Sequence, residues 1–200
     1  MPYGTLADRL ASGPMPIREC LELGITLAEA LHVVHGVGLL HRDVKPSNIG
    51  FGDRRVPKLL DFGLVHMLTH AEAGGTSAPL KPPAKLQADT LSLDGSLVGT
   101  PLYFSPEAVR GGPPSPACDL WSLNVLLLEA IIGRHPFRGR TIEDTLTKIR
   151  VADIDGALAR FAPASSDVAR YFEQALSRNE RVRPQRAADV ASHLRALVGR

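Results

Sequence analysis

The sequence predicts a mainly α-helical fold, a helical bundle around one buried central helix with a small β-hairpin. The segment Leu120–Ile132 carries apolar residues on nearly every side, which is typical of a helix that is buried all round. Between Ile17 and Gly36, apolar residues recur close to the helical period. Ile49–Phe51 and Lys58–Leu60 are short apolar runs separated by turn residues, so we expect two short strands.

The remaining elements follow from local signals along the chain. A short helix is expected at Leu6–Leu10. Residues 71–96 are rich in Ala, Gly, Pro, Ser and Thr without periodicity, which predicts a long flexible loop. Thr141 and Asp144 have the spacing of a capping box at a helix start. The last helix is expected to run from about Arg186 to Val198.

The composition favours one folded domain with a sizeable core. The chain has 200 residues, 44% of them hydrophobic and 22% charged, which excludes a disordered or fibrous protein. The formal net charge of +2 argues against a nucleic-acid partner bound through bulk charge. Cys20 and Cys118 show no spacing pattern, which argues against a disulfide scaffold and a zinc site.

No targeting or membrane segment is expected in this chain. The opening residues MPYGTLADRL have neither the basic region nor the apolar region of a secretory signal. The segment Leu120–Ile132 is too short to span a bilayer, which needs about 20 apolar residues. We therefore expect a cytoplasmic protein.

Four motifs stand in a fixed order along the chain. They are HRDVKPSN at His41–Asn48, DFG at Asp61–Gly63, GTPLYFSPE at Gly99–Glu107, and DLWSLNVLLLEAIIGRHPF at Asp119–Phe137. With Arg183 in an RVRP context, the sequence resembles the C-terminal lobe of the eukaryotic-type (Hanks-type) Ser/Thr protein kinase family. The resemblance implies one kinase domain over residues 1–200, from the hinge to the last helix of that lobe.

The resemblance assigns roles that suit phosphoryl transfer, a reaction that needs positioning and charge stabilisation. Asp43 is the candidate base for the substrate hydroxyl. Lys45 would point toward the transferring phosphate. The residues expected to bind ATP are Lys45, Asn48 and Asp61. Asn48 and Asp61 would offer oxygen ligands to Mg²⁺. Taken singly, each of these residues is better interpreted as an ordinary turn residue. Their combination at this spacing favours the functional interpretation.

The same motifs indicate the class of substrate. In this family a Lys two residues after the catalytic Asp, here Lys45 after Asp43, marks kinases that act on Ser and Thr. Thr100 resembles the family residue that hydrogen-bonds the catalytic Asp and Lys. The expected cofactors are therefore ATP and Mg²⁺, and the expected partner is a protein substrate.

Other matches are expected to be structural. By the resemblance, His41 and Phe62 stack in a hydrophobic column that Asp119 anchors on the buried helix. Glu107 and Arg183 would form a buried ion pair that joins the activation segment to the last helices. The alternative for Arg183 is a solvated charge.

The segment between the second and third motifs is expected to regulate the protein. Arg42 directly precedes Asp43, as in kinases that are switched on by phosphorylation of the activation loop. A phosphate there would bring about −1.5 to −2 charges, which could pair with Arg42. Ser96 lies at the family's usual distance before Thr100. Thr90 and Ser92 are further candidate sites, and all three could equally be ordinary hydroxyls.

The sequence departs from the family in what surrounds the nucleotide. No G-x-G-x-x-G and no Val-Ala-Ile-Lys run occurs in it, so the N-terminal lobe would have to be supplied in cis. We expect the isolated chain to be inactive or very weak, because water in an open cleft weakens electrostatic interactions. Gly50 stands where the family has Leu beneath adenine. Asn124 replaces a usual Gly of the central helix, where a larger residue could add strain.

Two other functions compete with this interpretation. A kinase-like lobe could bind or regulate partners without catalysis, although Asp43, Lys45, Asn48 and Asp61 are all present. Small-molecule kinases of the aminoglycoside-phosphotransferase type share an Asp and an Asn in the loop. The Ser-Pro-Glu, Asp-x-Trp and Arg183 features count against that second alternative.

Overall fold

The computed structural model describes residues 3–61, 66–67, 100–159, 161 and 166–199, with the backbone alone at 66–67 and 100–101. Most of these residues are helical, which confirms the prediction of a mainly α fold. The helices are α1 (Leu6–Leu10), α2 (Ile17–Gly36), α3 (Pro106–Val109), α4 (Pro116–Ile132), α5 (Ile142–Val151), α6 (Asp155–Leu158), α7 (Ser166–Ala175) and α8 (Ala187–Val198). The strands are β1 (Leu39–Leu40), β2 (Ile49–Phe51), β3 (Pro57–Leu59) and β4 (His66–Met67).

Helix α4 forms the centre of the core. Its side chains from Leu120 to Leu128 are almost all buried, with Leu123 and Leu126 at 0% exposure. The helix begins four residues before the apolar segment, because Pro116 occupies the first turn, where a missing N–H costs nothing. Ser115 stands at the N-cap position, and its side chain makes no capping hydrogen bond. It ends at Gly133, whose φ of 74° belongs to the left-handed region that glycine adopts freely.

The long helix α2 lies against both α4 and α8. Gly24 makes this close approach possible. A Cβ added there would lie 2.7 Å from a methyl carbon of Leu127 and 2.8 Å from one of Leu194. Cys20, on the same helix, donates its thiol hydrogen to the Leu127 carbonyl at 3.2 Å. Burial raises the pKa of the Cys20 thiol, so this thiol is a structural group.

The start of the chain packs beside the hairpin of β2 and β3. Helix α1 is capped by Thr5, whose side chain and backbone exchange hydrogen bonds with Asp8 in a capping box. The Gly4 carbonyl accepts a hydrogen bond from the Phe51 N–H at 3.1 Å. Gly50 is buried and forms a backbone bridge with Thr5. Helix α1 and the residues before it therefore lie beside β2.

Strands β2 and β3 pair antiparallel, with Ile49 opposite Leu59 and Phe51 opposite Pro57. Strand β3 was predicted at Lys58–Leu60 and begins one residue earlier, at Pro57. Proline is tolerated at the first residue of a strand because its missing N–H interrupts no inner hydrogen bond. The chain between the strands forms a short 3₁₀ turn at Asp53–Arg55.

Asn124 takes part in a buried polar pair between α4 and α7. Its Nδ2 donates to the Leu120 carbonyl at 2.8 Å, and its Oδ1 accepts a hydrogen bond from the Tyr171 hydroxyl at 2.7 Å. Both ends of the Asn124 amide are therefore satisfied, and the space that a smaller residue would leave is occupied by this pair.

The Tyr171 hydroxyl gives a direct test of this pair. We expect Tyr171→Phe to lower the free energy of unfolding by about 1–3 kcal/mol, because it leaves the buried Asn124 oxygen without a donor. Urea denaturation measures the change. Tyr3→Phe is the matched control, since Tyr3 is 53% exposed. Equal unfolding midpoints for the two variants would contradict the prediction.

Among the described residues, no helix is both long and apolar enough to cross a bilayer.

Candidate active site

One buried carboxylate holds the loop after β1 to the central helix. Asp119 of α4 is 1% exposed and accepts hydrogen bonds from the backbone N–H groups of His41 at 2.9 Å and Arg42 at 2.7 Å. The ring Nε2 of His35, near the end of α2, lies 2.8 Å from the same carboxylate. A buried carboxylate needs such partners because it has lost its hydration. Asp119 therefore fixes the start of the loop.

The loop brings Asp43, Lys45 and Asn48 together. The Lys45 ammonium lies 2.8 Å from Asp43 Oδ2. Asn48 Nδ2 donates to the same oxygen at 2.7 Å and to the Asp43 carbonyl at 2.9 Å. The other carboxylate oxygen, Asp43 Oδ1, is buried and has no hydrogen-bond partner in the part of the chain that the structure describes. Within this described part, the carboxylate is thus held through one oxygen, Oδ2.

Asp61 follows β3 at the same end of the hairpin. The preceding residue, Leu60, donates its N–H to the Asn48 carbonyl at 2.8 Å. Its own carbonyl lies 3.1 Å from His41 Nε2. Because adjacent strands are about 4.8 Å apart, these bonds place Asp61 and Asn48 at neighbouring strand ends. The sequence predicted both residues as metal ligands.

Two residues of this site adopt left-handed backbone conformations that only glycine adopts without strain. Arg42 has a φ of 66°, and Asp61 has a φ of 57°. Such conformations persist where the surrounding structure imposes them, and they are common at functional sites. The Arg42 backbone is held by the hydrogen bond from its N–H to Asp119. The backbone before Asp61 is held by the hydrogen bonds that Leu60 makes through its N–H to Asn48 and through its carbonyl to His41.

The chemistry of Asn48 and Asp61 fits magnesium. The Nδ2 of Asn48 donates to Asp43, so the Oδ1 of Asn48 is the atom that could bind a cation. Asp61 adds an exposed carboxylate. Magnesium prefers oxygen ligands and is usually bound by one or two protein groups together with phosphates and water. Among the described residues, no group of three His, Cys, Asp or Glu side chains forms a metal site, so phosphate and water oxygens would complete the coordination.

Glu107 and Arg183 lie in contact across the helical part of the molecule. Arg183 Nη1 donates to both carboxylate oxygens of Glu107, at 3.0 and 3.1 Å. Its Nε donates to the Ser177 carbonyl at 2.7 Å, and its guanidinium lies 4.6 Å from the centre of the Trp121 ring. Arg183 is only 5% exposed, which excludes the alternative of a solvated charge.

A second polar contact joins the GTPLYFSPE segment to α4, and sequence reasoning missed it. The Tyr103 hydroxyl donates to Glu129 Oε2 at 2.6 Å, and Ser122 Oγ donates to the Tyr103 carbonyl at 2.7 Å. Burial raises the pKa of the Glu129 carboxyl, although the Tyr103 hydrogen bond and nearby Arg138 act in the opposite direction. The only sequence signal was an acidic residue, Glu129, within the mostly apolar segment Leu120–Ile132.

The ring of His135 packs edge-on against Tyr103, with ring centres 5.2 Å apart. Burial lowers the pKa of His135 to about 4; a backbone hydrogen bond with Leu102 acts in the opposite direction, and nearby Arg138 adds to the lowering. The unfolded chain would take up a proton on this histidine near its ordinary pKa of about 6.5. His135 is therefore neutral in the folded protein at neutral pH.

This difference predicts a pH-dependent stability. The contribution of neutral His135 is complete above about pH 6.5 and is lost as the pH falls toward about 4, because only the unfolded chain binds the proton in that range. The loss is on the order of 3 kcal/mol. Unfolding midpoints of the parent and of His135→Gln between neutral pH and pH 4.5 measure it. The prediction is wrong if both proteins lose stability equally.

Several predicted site residues lie outside the described part of the chain. They are Phe62, Thr90, Ser92 and Ser96, together with the 71–96 segment. Thr100 begins a 3₁₀ turn over Thr100–Tyr103, for which its backbone is described and its side chain is not.

Comparisons with known proteins agree with the motifs. A family model described as "Protein kinase domain" matches residues 1–194. The serine/threonine-protein kinase PknK of Mycobacterium tuberculosis is 35% identical over 189 residues, which are 94% of this chain and 15% of that protein.

Two further relatives have similar identity. The serine/threonine-protein kinase PknL of Mycobacterium tuberculosis is 32% identical over 200 residues, 98% of this chain and 45% of that protein. The serine/threonine-protein kinase pkn2 of Myxococcus xanthus is 33% identical over 201 residues, 96% of this chain and 22% of that protein. The chain spans less than half the length of each of these relatives.

Proposed function

Because the chain belongs to the protein kinase family, we propose that it carries the catalytic lobe of an enzyme that phosphorylates Ser or Thr in proteins. One observation carries the proposal: Asp43 is held through Oδ2 by Lys45 and Asn48, while its buried Oδ1 has no partner among the described residues. A fixed carboxylate with one open acceptor suits a group that orients a substrate hydroxyl and takes its proton.

The proposed step is an in-line phosphoryl transfer. The hydroxyl oxygen of the substrate forms a bond to the γ-phosphorus of ATP, the bond from that phosphorus to the bridging oxygen breaks, and ADP leaves. The hydroxyl proton passes to Asp43 Oδ1. Lys45, at 2.8 Å from Asp43 Oδ2, places a positive charge where the transferring phosphoryl group would lie.

The proposed metal ligands are Asn48 and Asp61. Bound Mg²⁺ would neutralise phosphate charge that develops during transfer. The backbone positions both ligands. Leu60, which directly precedes Asp61, donates its N–H to the Asn48 carbonyl.

The choice of Ser and Thr over Tyr is part of the proposal. It is supported by Lys45 two residues after Asp43 and by the names of the three relatives. Thr100 is proposed to hydrogen-bond Asp43 and Lys45.

Regulation by phosphorylation is proposed on the basis of Arg42. Arg42 is exposed and takes part in none of the salt bridges found within the described ranges, while its backbone N–H is fixed by Asp119. A phosphate on Ser96, with Thr90 and Ser92 as further candidates, would supply the partner. His41 and Phe62 are proposed to form the hydrophobic column that Asp119 anchors.

We further propose that the 200 residues by themselves form only half of a nucleotide cleft. The support is the lack of a G-x-G-x-x-G motif and of a Val-Ala-Ile-Lys run in the sequence. The upper half would come in cis from an N-terminal lobe, and the 200-residue chain alone would show little or no transfer.

A transfer assay with radiolabelled ATP, Mg²⁺ and a generic Ser/Thr-containing protein tests these proposals. The 200-residue chain is compared with the longest in-frame protein that carries it. We expect transfer from the longer protein only, with phosphoserine or phosphothreonine in the product. Transfer by the short chain would overturn the half-cleft proposal. A longer protein that contains a glycine-rich loop and still transfers nothing would favour a non-catalytic binding role.

A further inference from the structure

The turn between β2 and β3 has an unusual backbone for its sequence. Arg54 and Arg55 are consecutive residues with φ of 57° and 59°, which is the left-handed region that disfavours residues with a Cβ. Hairpin turns of this kind strongly prefer Asn-Gly. The two arginines therefore stand at positions where they destabilise the turn. Their presence there indicates that the arginine side chains have a role other than stabilising the turn.

The turn and its surroundings carry three positive charges beside the one negative charge of exposed Asp53. Arg54, Arg55 and Lys58 are all exposed, and we call these three residues the cationic tip. Lys58 folds back over the turn, since a Cβ placed on Gly52 would lie 3.3 Å from the Lys58 Nζ. The salt bridges found among the described residues include none that involves the cationic tip.

We propose that the cationic tip binds a phosphorylated or strongly acidic peptide segment of a partner protein. Arginine pairs bind phosphate and carboxylate groups through two parallel hydrogen bonds. Val56, directly beside Arg55, is 47% exposed and offers an apolar contact that a peptide side chain would cover.

The charge balance favours a peptide over other anionic partners. Nucleic-acid binding rests on many phosphate contacts. The cationic tip has only three positive charges, with the negative charge of Asp53 beside them, and the whole chain has a net charge of +2. Recognition of anionic lipids usually needs clusters of about 4–8 basic residues. The proposal does not depend on phosphoryl transfer, because binding can be measured without ATP.

Fluorescence anisotropy with labelled peptides tests the inference on the 200-residue chain. One peptide carries phosphoserine, a second carries a run of Glu and Asp, and a third carries unmodified serine in a neutral sequence. The test variant is Arg54→Asn with Arg55→Gly, which removes two charges and installs the preferred turn residues. The control variant is Arg178→Gln with Arg181→Gln, two exposed arginines elsewhere.

We expect the parent and the control variant to bind the phosphoserine peptide, the acidic peptide or both, and the test variant to bind them roughly tenfold more weakly. The thermal midpoint of the test variant should not fall, because its turn is less strained. The relative affinities of the two anionic peptides identify the source of the negative charge. The inference is overturned if neither anionic peptide binds the parent, or if the test variant binds as tightly as the parent. An RNA hairpin and phosphatidylserine vesicles are tested in parallel. Binding of only one of these through the cationic tip would also overturn the inference.

Discussion

Replacing Asp43 with Asn should lower the rate of phosphoryl transfer by about 10²–10⁴-fold, the usual contribution of a positioned general base. The amide can no longer accept the hydroxyl proton. It also places an NH₂ group close to Asn48 Nδ2 and the Lys45 ammonium, both of which donate to the native carboxylate. The rate is measured with Mg·ATP and a Ser/Thr-containing substrate, in the longest in-frame protein that carries this chain.

Asp153→Asn is the matched control, because it makes the same chemical change at an exposed carboxylate. We expect its rate to equal that of the parent. Circular dichroism should show that both variants keep their helical content, and ATP affinity should change little in either. A rate for Asp43→Asn within a few-fold of the parent rate would remove Asp43 from the proposed mechanism.

The largest stability effect is expected at Arg183. Arg183→Met should lower the free energy of unfolding by about 3–5 kcal/mol, because it leaves the Glu107 carboxylate unpaired in a largely buried position. It also removes the contacts to the Ser177 carbonyl and the Trp121 ring. Glu107→Gln should cost less, since it keeps those two contacts and the Glu107 side chain is 18% exposed. Urea denaturation of both variants gives this ranking.

The double variant and a surface pair serve as controls. Removing both charges should cost less than the sum of the two single changes, because no buried charge is then left unpaired. Arg170→Met breaks an exposed pair with Asp167, in which the arginine side chain is 72% exposed, and should cost about 0–1 kcal/mol. If Arg183→Met costs no more than Arg170→Met, the Glu107–Arg183 pair contributes no special stability.

Local sequence signals were most accurate for single elements. They predicted helix α1 at its observed bounds and placed β2 correctly. The start of α4 was missed by four residues, because the apolar pattern begins at Leu120 while the helix begins at Pro116. Hydrophobic periodicity reports which face is buried, whereas a helix start depends on local features such as Pro116 in the first turn, which carry no apolar pattern.

The contacts that escaped prediction join residues that are distant in sequence. His35 and Asp119 are 84 residues apart, Asn124 and Tyr171 are 47 apart, and Tyr103 is 26 residues from Glu129. No periodicity or spacing links such residues. A single polar residue inside an apolar helix, such as Asn124, indicates that a partner is needed without showing which one.

By itself, the sequence determined the family and the types of group available for chemistry, because motifs such as HRDVKPSN and DFG are local and ordered. Only the tertiary structure decided that Asp43 is held through Oδ2, while its Oδ1 has no partner among the described residues, and that Arg183 also contacts the Ser177 carbonyl and the Trp121 ring. It also decided that two arginines occupy left-handed positions at the hairpin turn. The physical reason is that hydrogen bonding, burial and backbone strain depend on how the helices and the hairpin pack around α4, and packing joins residues that the chain keeps far apart.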